Sequence, residues 1–335
     1  MTLAVVLAAA ATVAVPVLAG ASGPAPAGMA AQPGDLIDVR LGDLHPTQPA
    51  IGFDEVYYKL DRYRAGKDEQ AGGINQRFDD WCEANGQGAA GAAGPASRLA
   101  DPASFTCEVP VGQETPETIA AMKTVVLGPG DVPYLTDGHH SLTELLESPD
   151  GGPDAHVRVR VEADLSDLAP ADFWTRMSEN HWVWLRDADN QEITPDRLPA
   201  RLGLGSMGDD RYRGLVYFTR DIGYEQVADA DGGSPEFLEF YWATWLRRSY
   251  DLADYDLTDP ESYLDLVEHA SKDMTKLHDG DEVVDGRTAG ELGRMAKWND
   301  GKSPEKGEFG DLGTPMSDPK PGKLAYALDF KAQLP

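Results

Sequence analysis

The segment Tyr134-Leu135-Thr136-Asp137-Gly138-His139-His140-Ser141-Leu142 reads as the end of a strand, a tight turn and the first turn of a helix. Residues 125–127 and 132–135 are short apolar runs on either side of Pro129-Gly130-Asp131, which is turn chemistry. Leu142, Leu145 and Leu146 then recur at helical spacing. Asp137, His139 and His140 therefore stand where a strand hands over to a helix start. Backbone N–H groups at such a start lack intrahelical partners, and the helix dipole favours an anion there. Two imidazoles would add donors or charge, and one carboxylate would orient a water or hydroxyl. The corner reads as a place for phosphate, with Gly138 and Ser141 bringing N–H groups to it and Asp137, His139 and His140 as candidate catalytic residues. The plainer alternative makes Asp137 a helix cap, with adjacent histidines pointing in different directions.

The chain has 335 residues, 41% of them hydrophobic, enough for one large or two modest domains. Residues 1–34 carry no charge, and residues 3–18 are an apolar run rich in Ala and Val, followed by small-residue cleavage candidates. Residues 1–31 are expected to be a secretory signal, leaving no membrane span once removed. The protein would then be secreted. Cys82 and Cys107, the only two cysteines, would form a disulfide in that setting. The alternative is two unpaired buried thiols.

Acidic residues outnumber basic ones 57 to 29, for a formal net charge of −28. Stable duplex DNA binding is disfavoured, because its affinity comes largely from Lys and Arg neutralising phosphates. A small phosphorylated molecule or nucleotide is less affected. Gly203-Leu-Gly205-Ser-Met-Gly208 follows no clear strand and precedes Asp209 and Asp210, so a dinucleotide role is rejected. The acidic turns at 187–191 and 229–233 lack the Gly and Glu of a calcium loop. No histidine or cysteine group has zinc spacing, and no metal ligands are assigned.

Along the chain, helices are expected at 53–63, 77–83, 114–122, 170–179, 211–220 and 235–248. The first carries Val56, Tyr57, Leu60 and Tyr63 as a core stripe. Residues 156–163 alternate Val157, Val159 and Val161 against polar residues, a half-buried strand. Residues 181–185 read as a further strand, the Gly/Ala tract at 86–94 as flexible, and residues 279–335 as a loosely packed tail. Arg211, Arg213 and Arg220 would either reach an anion or pair with nearby Asp and Glu.

Residues 123–140, with the Thr-Asp-Gly-His-His corner, resemble the signature of the ParB/sulfiredoxin superfamily, and within it the family described as putative ParB-like nucleases. Residues 39–52, with Leu44-His45-Pro46-Thr47-Gln48-Pro49, resemble its opening strand and turn. Leu198-Pro199, Asp209 to Arg213, and residues 236–243 follow in the same order. The resemblance implies an α+β fold with a mixed-sheet ParB/sulfiredoxin-like core over residues 32–250. A mostly helical C-terminal half and a helical, acidic extension over 251–335 complete the expectation.

The resemblance also implies that Thr47 and Gln48 complete the phosphate pocket. Superfamily members that phosphorylate free serine carry a glutamate in or near this turn as base. Gln48 stands nearest to it here, and an amide cannot take a proton. Sulfiredoxin-type reduction is the weakest option, since no cysteine lies near residue 138. The expected function is an exported nuclease or phosphohydrolase acting on a phosphate ester or nucleotide. In it Asp137 would orient an attacking water, either free or bound to magnesium, and His139 or His140 would stabilise the leaving oxygen. The alternatives are a non-catalytic module that binds a nucleotide or other anion, and an acidic interaction protein with no ligand at the corner.

Overall fold

The structure, a computed structural model, describes residues 31–226, 237–301 and 308–334. The leader expected at residues 1–31 lies outside these, apart from Ala31. The architecture is mixed α+β. A five-stranded sheet has the order Leu36–Arg40, His156–Asp164, Thr124–Gly128, Val132–Leu135, His45–Pro46. Its pairings alternate antiparallel, parallel, antiparallel, parallel. The middle strand, Thr124–Gly128, is buried along its whole length, as its unbroken apolar run requires. Val157, Val159 and Val161 are buried on one face of their strand, the period-two pattern of a half-covered sheet.

The hairpin expected before the corner is present, with Val126 opposite Tyr134. Its open end is closed by Thr136 N–H donating to the Thr124 carbonyl at 2.9 Å and by a 2.7 Å bond between the two threonine hydroxyls. The chain then reverses at Gly138, with φ of 94°, and enters the corner helix His139–Glu147. A Cβ at Gly138 would meet both an unfavourable backbone conformation and the Lys123 side chain at 2.5 Å, so the turn admits glycine only.

The helix Phe53–Ala65 is the wall shared by two cores. Val56, Leu60 and Tyr63 face the sheet side, where they join Leu135, Leu142 and Val159. Tyr58 faces the other way, into a core built from the helices Arg211–Thr219, Leu238–Ser249 and Pro260–Lys276. Glu55 and Lys59, one turn apart, occupy a third face. At the start of this helix Gly52 packs against Gly214: a Cβ on Gly52 would lie 2.4 Å from the Gly214 nitrogen.

Three segments differ from the sequence expectation. Residues 181–185 form no strand. His181 takes a left-handed φ of 55°, Trp184 N–H donates to the Thr47 carbonyl, and the Trp184 ring lies 4.5 Å from that of Phe240. The apolar run is covered by side-chain packing instead of by a ladder, with Val183 buried and Trp182, Trp184 and Leu185 half-buried. The Gly/Ala tract is not free either: Ala90–Ala93 pairs antiparallel with Phe105–Cys107. The Cys82–Cys107 disulfide bonds this hairpin to the helix Gln76–Ala84, and Asp79 accepts from Ala90 N–H. The loosely packed tail is also corrected, among its described residues. Val283, Leu292, Leu312, Leu324 and Tyr326 are buried in the second core. The final helix, Lys323–Lys331, lies on Phe53–Ala65, stacking Phe330 on Tyr57 at 5.0 Å and pairing Lys331 with the buried Asp54 at 2.6 Å. Composition alone could not see that this acidic segment is tethered by an internal carboxylate.

Candidate functional site

A cleft of about 770 Å³ opens between the corner and the helical half. Its first wall is the corner itself, with Asp137, Gly138, His139, His140 and Ser141, together with Gln48. Its second wall comes from helices distant in sequence, with Arg213, Tyr217, Arg220, Glu239 and Phe240. Glu55, Lys59 and Glu144 form the side between them.

The corner histidines are structural ties as well as lining groups. His139 Nε2 accepts from Thr47 N–H at 3.1 Å, and His140 Nε2 accepts from Gly52 N–H at 2.9 Å. Each imidazole thus pins the 47–52 segment to the corner helix, and its one remaining proton sits on Nδ1. Burial pushes both imidazoles down to about 3. The adjacent histidine adds to this for His139, and Arg213 lowers both. They are neutral at ordinary pH, so the 3.5 Å approach of His140 Nε2 to Glu55 is not an ion pair. Thr47 is buried and its hydroxyl donates to the Leu135 carbonyl at 2.7 Å, so it shapes the turn behind the cleft. Asp137 stands at the rim with its side chain 68% exposed, 3.9 Å from Lys123.

The cationic groups lie opposite. Asp210 caps the helix Arg211–Thr219, accepting from the N–H groups of Tyr212 and Arg213. From there Arg213, Tyr217 and Arg220, spaced i, i+4 and i+7, look out along one face into the cleft. Arg213 is 4% exposed, lies over the Phe240 ring at 3.8 Å, and donates through Nη2 to Glu239 at 2.8 Å. Arg220 donates to the other Glu239 oxygen. Nε and Nη1 of Arg213 and Nε of Arg220 have no hydrogen-bond partner among the described residues. Buried donors left this way are costly, and in native proteins they mark an ion, a water or a ligand.

The carboxyls of the cleft respond to these charges differently. Burial opposes the charge of Glu239, but the two arginines outweigh it and hold the group well below the usual carboxylate range. Glu55 is pushed up to about 7, chiefly by burial, with Arg220 pulling it back and Glu239 adding to the rise. Burial also raises Glu144. Lys59 keeps its charge in spite of burial because Asp80 lies 2.7 Å away and Glu144 is near.

Comparison with known proteins gives the family. The family model described as a putative ParB-like nuclease matches residues 37–248. The chain belongs to that family. The match takes in both walls of the cleft, from Gln48 to Phe240. A solved structure of protein Atu1540 from Agrobacterium tumefaciens is similar at 23% identity, covering 72% of this chain and 90% of that one, with a TM-score of 0.45. No curated protein matches.

The structure thus gathers Asp137, Gly138, His139, His140, Ser141 and Gln48 at one cleft and sets Thr47 behind it. The sequence reading gave no site role to Glu55, Glu144 or Glu239, although Glu239 lies in the 236–243 segment that carries the family resemblance. It named Arg213 and Arg220, and the ion pairing it offered for them is present. The missed signals were the i, i+4, i+7 spacing of Arg213, Tyr217 and Arg220, and the Glu55–Lys59 pair off the apolar stripe.

Magnesium fits poorly here. Glu55, His140 and Glu239 bring donor atoms within 4.8 Å of one another, the one such group found among the described residues. Both Glu239 oxygens already take arginine protons, and His140 Nε2 takes the Gly52 N–H. A cation there would have to share the Glu239 oxygens with two guanidinium groups and could take His140 Nε2 only by breaking its bond to Gly52 N–H, whereas Mg²⁺ seeks hard oxygen ligands and keeps its waters.

Proposed function

We propose that this family member binds and cleaves a small phosphate ester in the cleft, without a metal ion. The observation that carries this reading is Arg213: a buried guanidinium on the cleft wall with two nitrogens unpartnered among the described residues. Such a group is matched by an oxyanion with several acceptor oxygens. The corner helix offers the opposite half of the cradle through the N–H groups around His139 to Ser141, which begin a nine-residue helix. As charge develops on the leaving oxygen, the fixed cations Arg213 and Arg220 stabilise it without rearrangement. The neutral histidines keep the 47–52 turn in place, and their Nδ1–H groups serve as donors, not as acids.

A net charge of −28 repels long polyanions at a distance, so the substrate is a nucleotide or other small ester in preference to duplex DNA. The Cys82–Cys107 bridge supports an exported protein, since such bonds persist in oxidising compartments. Gln48, which cannot take a proton, favours a second reading: a module that holds a nucleotide or anion without turnover.

Phosphate release from the purified chain on a panel of nucleotides and sugar phosphates separates the two. Turnover that survives EDTA and falls in Arg213→Ala is expected. Turnover that requires added magnesium overturns the metal-free reading, and anion binding with no turnover on any ester leaves the binding module.

A further inference from the structure

We propose that Glu55 is the catalytic base of this cleft, taking the proton from the water that attacks the ester phosphorus. The inference rests on the reading that the cleft takes a phosphate ester. Glu55 projects from the third position of its helix, in the opening turn, on the face away from both core stripes, with its side chain 13% exposed to the cleft. Its carboxylate belongs to the group whose donor atoms lie within 4.8 Å, together with His140 on the corner helix and Glu239 on the opposite wall. Since Glu239 marks where the two guanidinium groups converge, Glu55 sits beside the proposed phosphate, between its two walls.

The competing carboxyls are less suited. Asp137 is 68% exposed at the rim and pairs with Lys123. Glu239 is locked by two arginines and is a poor proton acceptor. Gln48 cannot accept a proton at all. Glu55 faces Lys59 on its own helix, His140 and Glu144 on the corner helix, Arg213 and Arg220 across the cleft, and Glu239 beside them. Burial raises it, Glu239 adds to the rise, and Arg220, Arg213 and Lys59 pull it back to about 7, close to where a general base works at neutral pH.

The step balances simply. The water oxygen bonds to phosphorus as one of its protons passes to Glu55. The bond from phosphorus to the leaving oxygen breaks, and its electron pair stays on that oxygen. The leaving oxygen is neutralised by Arg213 and Arg220 and takes a proton from solvent on release. Glu55 then returns its proton to solvent.

Glu55→Gln, Glu55→Asp and the full-length protein are compared for turnover, for inorganic phosphate binding by calorimetry and for thermal unfolding. Glu55→Gln is expected to lose about 10²-fold or more in turnover while binding phosphate within about threefold of the parent. Glu55→Asp recovers part of the rate. The parent's kcat rises with pH through a limb near 7 that Glu55→Gln lacks. Should Glu55→Gln fail to fold, the parent's limb and its displacement in Glu55→Asp decide the matter. Full turnover in Glu55→Gln, or no limb in the parent, overturns the role of Glu55 while phosphate binding keeps the cleft reading intact. A parent that neither binds phosphate nor cleaves any ester removes that reading, and this role with it.

Discussion

Glu55 and Glu239 bring carboxylate oxygens within 4.8 Å of each other, yet one is pushed up to about 7 and the other held well below its ordinary value. Both are buried. The difference is that Arg213 and Arg220 bond directly to Glu239, whereas Glu55 has burial and a neighbouring negative charge against it. Adjacent carboxyls driven apart in this way take separate tasks, one as a fixed charge and one as a proton carrier.

This division has a stability signature. A carboxyl raised in the folded state binds protons there that the unfolded chain has released, so its ionisation works against folding as pH rises from its ordinary 4.5 through about 7. Glu55→Gln should therefore melt a few degrees above the parent at pH 8 and level with it at pH 4, in paired scanning calorimetry. Equal melting temperatures at both pH values would contradict the raised carboxyl.

The histidines act in the opposite pH direction. With folded-state values near 3 against an ordinary 6.5, His139 and His140 stay neutral in the fold while the unfolded chain takes up protons. Their contribution is complete above about 6.5 and is lost as pH falls from there towards 3. The melting temperature should decline over that window, and His140→Gln should flatten the decline, its amide oxygen accepting from Gly52 N–H. A melting temperature independent of pH between 6.5 and 4 would count against both buried neutral rings.

Arg213→Ala should weaken inorganic phosphate binding or reduce turnover by roughly 10²-fold, the usual effect of removing one preorganised donor. Arg211→Ala, on the same helix but exposed, should change neither. Equal losses in the two variants would assign the effect to general electrostatics and not to the cleft.

Replacing both cysteines with serine should destabilise the fold by about 3–4 kcal/mol, from a closed span of 25 residues and the usual chain-entropy relation. Urea unfolding measures it. Because Glu83 and Ala84 next to Cys82 line the cleft, turnover at low temperature reports whether the bridge also holds that side in place.

Lys331→Met should cost roughly 3 kcal/mol, the effect of stranding a buried charge. It leaves Asp54 with the Tyr263 hydroxyl at 2.7 Å as its remaining partner among the described residues. Chemical denaturation of that variant beside Asp54→Asn with Lys331→Met shows whether the unpaired carboxylate is the cause, since the double change should recover much of the loss.

The hairpin, the glycine turn and the corner helix were legible because each rests on local rules: two apolar runs, turn residues, and leucines at helical spacing. The strand at His156–Asp164 and the helix at Pro170–Glu179 were legible for the same reason. The rest of the cleft was not, because its parts meet only through tertiary packing. Arg213 and Glu239 are 26 positions apart, and the i, i+4, i+7 spacing that begins at Arg213 marks a helix face without saying that Glu239 closes over it. The run at 181–185 shows the same gap from the other side. Five residues of strand-like composition carry no information about whether a neighbouring edge is available to pair with them.

The contact between Gly52 and Gly214 works as a shim. It fixes how far the corner stands from the arginines by main chain against main chain, and Gly52 also supplies the N–H that holds His140. Trimming or enlarging the lining side chains can reshape the cavity, but it cannot change the separation of its walls. The reach from one half of the phosphate cradle to the other is therefore a property of the backbone. A change in the size of anion accommodated would have to begin at this pair of glycines, and any residue with a side chain there would loosen the histidine tie in the same stroke.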